Sequence, residues 1–88
     1  MTTPNTQQQD AMLKRLARVE GQIRGIQAMI RRGEDCAAIA QQFSAARSAL
    51  DKSYRLMLTC LIEEAMLDPE QNPEDSLQRV REIFTKYT

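Results

Sequence analysis

Two thiols, Cys36 and Cys60, are the strongest nucleophiles in a chain of 88 residues that contains no histidine. Without imidazole there is no Ser-His or Cys-His nucleophile pair and none of the usual histidine metal sites. The chemistry left to the two cysteines is thiol modification, or soft-metal binding of the kind that suits Cu(I). Glu63 and Glu64 are adjacent acids that a harder cation accepts, although paired acids near a helix end are ordinarily just solvated. No pair of carboxylates sits in an evident catalytic arrangement, so enzymatic activity is not expected.

A second set of side chains is defined by charge. Lys14, Arg15 and Arg18 fall within about one helical turn, and Lys52 and Arg55 form a second basic pair. Lysine and arginine total 12 against 12 acids, a net charge of zero. The distribution is uneven, because residues 1–55 carry the excess of base and residues 56–88 the excess of acid. Such asymmetry suits either an anionic partner or two helix surfaces that attract each other. A helical interaction module without a DNA role is the corresponding alternative.

The elements that must position these groups are helices. The chain is 42% hydrophobic and 5% aromatic with three glycines and three prolines, which suits an all-α protein and excludes a β-sandwich or barrel. Residues 1–9, polar and glutamine-rich, read as a disordered tail, and 10–88 as one helical domain. Leu13, Leu16, Val19, Ile23, Ile26 and Ile30 step by three and four along a first helix over about 10–32. Gly33 is placed to cap it and Asp35 to start the next. The second helix carries Cys36, Ile39, Phe43, Ala46, Leu50, Ser53, Met57 and Cys60 as a heptad seam and ends near Leu67, before Pro69. Asn72 and Pro73 open a short third helix bearing Leu77, Val80, Phe84 and Tyr87. The pattern is long, longer, short.

A helix of about thirty residues is about 45 Å long, more than an 88-residue monomer covers. The seam is therefore expected to meet its counterpart in another chain, giving an antiparallel dimer and, if the apolar residues near 56–62 are covered too, a dimer-of-dimers tetramer. An ordinary three-helix bundle is the alternative. No run approaches the roughly 20 apolar residues that span a bilayer, and the start MTTPNTQQQD resembles no signal peptide, so a cytoplasmic location and no membrane partner are expected.

Arg15, Arg18, Glu20, Gly21, Gln22, Arg24, Gly25 and Ile26, followed by Cys36 and by the run Gln41 to Leu50, resemble the CsoR/RcnR/FrmR family of bacterial repressors across about residues 12–66. The resemblance implies an all-α homotetramer that binds operator DNA and releases it when a metal ion or a small reactive effector binds. It places Arg15 and Arg55 on the DNA-facing surface. Lys14, Arg18 and Lys52 join them on charge alone, as phosphate partners whose affinity falls with salt.

In the family's copper sensors the resemblance implies three ligands matching positions 36, 61 and 65, the first from one protomer and the others from its partner. Here they are Cys36, Leu61 and Ala65, and the last two ligate no metal. Persulfide-sensing members use two cysteines, the second matching position 65. Within one helix Cys36 and Cys60 are about 36 Å apart, but in the family's antiparallel register Cys60 of a partner chain falls within a turn of Cys36. Modification at Cys36, cross-linked to that Cys60, is the expected sensor chemistry, with a Cu(I) site on the same two thiols as the alternative. A further alternative joins Cys36 through a methylene to an N-terminal amine after reaction with formaldehyde, which here would be that of Thr2. Family members of that type present proline there, whereas this chain has proline only at Pro4.

Overall fold

The computed structural model describes residues 3–88. Three helices follow in order: α1 (Thr6–Arg32), α2 (Cys36–Leu67) and α3 (Pro73–Tyr87), with no strand among the described residues. Both α1 and α3 pack on α2 and not on each other. The molecule is accordingly a slab of 57 × 27 × 14 Å, about one helix thick.

The helix ends are set by local chemistry. Asn5 accepts from the Gln8 backbone N–H at 2.8 Å while the Gln8 side chain accepts from the Asn5 N–H at 2.9 Å, a reciprocal capping box. That box starts α1 at Thr6, so the expected boundary near residue 10 is too late and the polar stretch 6–9 is helical rather than a disordered tail. At the other end Gly33 takes φ 74°, the left-handed conformation that glycine adopts without a Cβ clash. There Glu34 N–H bonds to the Met29 carbonyl at 3.1 Å and Gly33 N–H to that of Ile30 at 3.1 Å. Asp35 then caps α2 through the Ala38 N–H at 2.8 Å, and Asn72 caps α3 through that of Asp75 at 2.9 Å.

The α1–α2 hairpin is closed by residues spaced by sevens. Val19 and Ile26 are buried on α1, and Ala46, Ser53 and Cys60 on α2. Matched in antiparallel order, Ile26 is level with Ala46, Val19 with Ser53 and Met12 with Cys60. A hydrogen bond from Gln8 Nε2 to Glu63 Oε2 at 3.2 Å, beyond the Met12 level, agrees with this register. Leu58 and Ala65 are buried on another flank of α2, the helix on which α3 also packs. Tyr54 donates its hydroxyl hydrogen bond to the Tyr87 carbonyl, and Arg79 reaches both Asp68 (3.6 Å) and Gln71 (3.1 Å), pinning α3 and its loop.

The expected heptad seam of α2 is divided between two uses. Ala46, Ser53 and Cys60 pack inside the chain, whereas Phe43 and Leu50 remain 54% and 48% exposed. The same division holds on α1, where Val19 and Ile26 are buried and Leu13, Leu16, Ile23 and Ile30 are exposed. A stripe with steps of three and four spans a wide arc, and one neighbouring helix covers only half of it.

Candidate DNA interface and thiol sensor

The hairpin has two unlike faces. One cavity of about 920 Å³ is lined by Leu16 from α1 together with Leu50, Tyr54 and Met57 from α2, which puts the exposed Leu16 and Leu50 on one side of the hairpin, beside Arg47 and Asp51. At 3.6 residues per turn, Arg15 and Arg18 lie across the Val19–Ile26 line from Leu16, and Lys52 lies across the Ala46–Ser53–Cys60 line from Leu50. These three therefore point to the opposite face, with Lys14 and Arg55 further round toward its edges. All five are exposed.

The antiparallel register also brings the five to one level. Arg18 stands beside the turn that holds Tyr54 and Arg55, and Lys52 beside that of Glu20, so the basic residues form a band across the middle of the hairpin. Arg55 Nε is held by Asp51 Oδ2 at 2.9 Å, and Arg24 by Glu20 at 3.9 Å. Lys14, Arg15, Arg18 and Lys52 have no ion-pair partner among the described residues. The Asp51 partnership was missed in the sequence, although acid and base four residues apart on a helix are its ordinary signal. A band of guanidinium and ammonium groups on a helical surface is suited to phosphate oxygens.

The two thiols occupy contrasting places. Cys36 is the first residue of α2, exposed at the tip where the chain turns out of α1. Beside it Glu34 is engaged by Arg32 at 2.5 Å, and the Asp35 carboxylate is taken up in its cap. Cys60 is 5% exposed and faces α1 near the other end of the hairpin. A second cavity, of about 470 Å³, lies at this foot and is lined by Cys60 with Thr3, Asn5, Gln8, Glu63 and Asp68. The hairpin therefore keeps Cys36 and Cys60 of one chain about 36 Å apart along α2. Thr2 lies outside the described residues; Thr3 and Pro4, next to it, are at the foot and so at the opposite end from Cys36 of the same chain.

The positions that supply the other two ligands in copper-sensor patterns are the half-buried Leu61 and the fully buried Ala65. No group of three or more His, Cys, Asp or Glu is placed to hold a metal ion among the described residues. The residues present thus do not fit a metal at that position. No described helix is long and apolar enough to cross a membrane.

The chain has recognisable relatives among known proteins. The sequence profile of a family described as "Metal-sensitive transcriptional repressor" matches residues 8–86. The copper-sensing transcriptional repressor RicR of Mycobacterium tuberculosis is 53% identical over 45 residues, spanning 51% of this chain and 47% of that protein. The copper-sensing transcriptional repressor CsoR of Bacillus subtilis is 28% identical over 86 residues, or 96% of this chain and 85% of that one. Among solved structures, the nickel-responsive transcriptional regulator InrS superposes with a TM-score of 0.77 at 29% identity, covering 100% of this chain and 98% of its own. A variant of the formaldehyde-responsive regulator FrmR from Salmonella enterica serovar Typhimurium gives 0.73 at 25% identity, covering 94% and 93%. With nearly its whole length matched by the profile, the chain belongs to the metal-sensitive transcriptional repressor family, a family of DNA-regulating proteins and not of enzymes.

Proposed function

We propose that this protein is a repressor that binds duplex operator DNA through the basic band and leaves it when the thiol of Cys36 is chemically modified. The observation that carries the effector assignment is the contrast between the thiols: Cys36 is open at the hairpin tip, while Cys60 is enclosed against α1. An electrophile or persulfide meets Cys36 first. With a persulfide, the Cys36 thiolate takes the outer sulfur and releases the remaining thiolate. A second thiolate that attacks this Cys36 persulfide forms a disulfide and expels hydrosulfide.

Cys60 of a neighbouring chain is the candidate second thiol, and its use requires approach through the foot cavity or local parting of α1 from α2. The apolar face supplies the means of bringing chains together. Phe43, Leu50, Leu13 and Ile23 are exposed on a protomer among whose described residues no large side chain is fully buried, and covering them with the same face of a second copy completes a core that is meagre in one chain. The proposed assembly is an antiparallel dimer, or two such dimers as a tetramer.

The test is binding of a duplex selected by the protein from a random-sequence pool, before and after anaerobic treatment with inorganic persulfide. The Cys36→Ser variant is expected to bind the duplex normally and to ignore the treatment. Intact mass under denaturing, non-reducing conditions then decides the cross-link: a covalent dimer lost in Cys60→Ser supports it, and modified monomers alone refute it.

A further inference from the structure

The cavity of about 920 Å³ beside Leu16 and Leu50 is within the size range of small-molecule sites. Its apolar walls are Met12 and Leu16 from α1 with Leu50 and Met57 from α2. Two of its polar side chains are already engaged: Asp51 Oδ2 holds Arg55 Nε at 2.9 Å, and the Tyr54 hydroxyl donates to the Tyr87 carbonyl. Two others are not. Ser53 is 5% exposed, and its Oγ has no hydrogen-bond partner among the described residues. Arg47 is exposed and has no ion-pair partner among the described residues.

We propose that this cavity binds an elongated organic acid, with its carboxylate at Arg47, its apolar body against Leu16, Leu50 and Met57, and a hydroxyl or carbonyl oxygen at Ser53. Each part answers a group that the chain leaves open. Buried hydroxyls are nearly always satisfied, so Ser53 calls for a polar atom brought in by an occupant. A water molecule alone supplies that atom but leaves the apolar walls wet, whereas a run of methylene groups covers them as well. The sign of the charge follows from the pairing. With Asp51 taken by Arg55, the free charge at the cavity is the guanidinium of Arg47, which suits a carboxylate. Arg47 and Ser53 are six residues apart, about 9 Å along α2, a separation that one medium-length chain spans with the reach of the arginine side chain.

Leu16 and Leu50 also belong to the face proposed to meet a second copy. Acid and copy then compete for the same apolar surface, and each weakens binding of the other by the same factor. This consequence rests on the proposed assembly; the binding site does not.

The experiment is calorimetric titration of the full chain with 10-hydroxydecanoate, with decanoate, and with the decyltrimethylammonium cation. The expected result is one 10-hydroxydecanoate per chain, bound at least threefold more tightly than decanoate. A buried hydroxyl that finds no partner is costly, so a preference for the hydroxy acid reports its bond to Ser53. Ser53→Ala is expected to abolish or reverse that preference with unchanged helical circular dichroism. Arg47→Gln is expected to weaken both acids at least threefold, whereas Arg81→Gln, a change at an exposed cation of α3, leaves them as they were. Absence of saturable binding, or binding of the cation as tightly as decanoate, overturns the site. An undiminished preference in Ser53→Ala overturns the role of Ser53, and undiminished binding by Arg47→Gln overturns that of Arg47. Sedimentation velocity at saturating acid should show weakened self-association. Self-association that ignores bound acid overturns the competition alone, and a chain that never self-associates overturns the proposed assembly instead.

Discussion

The two faces of the hairpin are built from the same helices and the same register, yet they call for opposite partners. One presents Leu13, Leu16, Ile23, Phe43 and Leu50, and the other Arg15, Arg18 and Lys52, with Lys14 and Arg55 at its edges. Apolar area left uncovered is a continuing cost that a second apolar surface removes. Exposed cations are at ease in water and gain from an anion, in proportion to how little salt competes. The difference teaches that association and DNA binding are separable to first order, because each is carried by residues that turn away from the other.

The largest effect is expected from placing a charge on the apolar face. Leu50→Glu buries a carboxylate from each chain in the proposed interface, at a cost of several kcal/mol per ion. Sedimentation velocity should show self-association weakened by roughly a hundredfold or more. An unchanged assembly would mean that this face stays open.

On the basic face, Arg15→Ala is expected to weaken duplex binding about tenfold, and to lower the slope of log affinity against log salt by about one. Its melting temperature should hardly move, because the side chain is exposed and has no ion-pair partner among the described residues. Equal affinity for wild type and variant would remove Arg15 from the DNA surface.

A change away from both faces sharpens the contrast. Asn5→Ala removes the capping box of α1 and should cost about 1 kcal/mol, seen as a melting temperature lower by roughly 4–8 °C. Self-association and DNA affinity, compared well below the melting range, should keep their wild-type values. The smallest effect is expected from Asp51→Asn, which frees Arg55 from its 2.9 Å partner. Exposed pairs of this spacing are worth about 0.3–0.5 kcal/mol, so duplex binding should tighten by about twofold, measured at low salt.

Much of this arrangement is legible in the sequence, for local reasons. Gly33, Asp35 and the Asn72–Pro73 pair mark helix ends because capping is chemistry between near neighbours, and all act where expected. Asn5 with Gln8 carries the same kind of signal, obscured by the polar run around it. The division of each apolar stripe is a different matter. Periodicity tells which residues avoid water, not which neighbour covers them, so Ala46 and Leu50 look alike in the sequence and differ in the fold. The same holds for the thiols: spacing separates Cys36 from Cys60 along α2, but only the packing of α1 encloses one and leaves the other open.

The central claim is that an open thiol at the hairpin tip controls what the basic band holds. Fluorescence anisotropy of the selected duplex, followed through anaerobic addition of inorganic persulfide, tests it most directly. The account predicts at least a tenfold loss of affinity for the wild-type protein and none for Cys36→Ser. Release of the duplex by Cys36→Ser to the same extent as by wild type would contradict it.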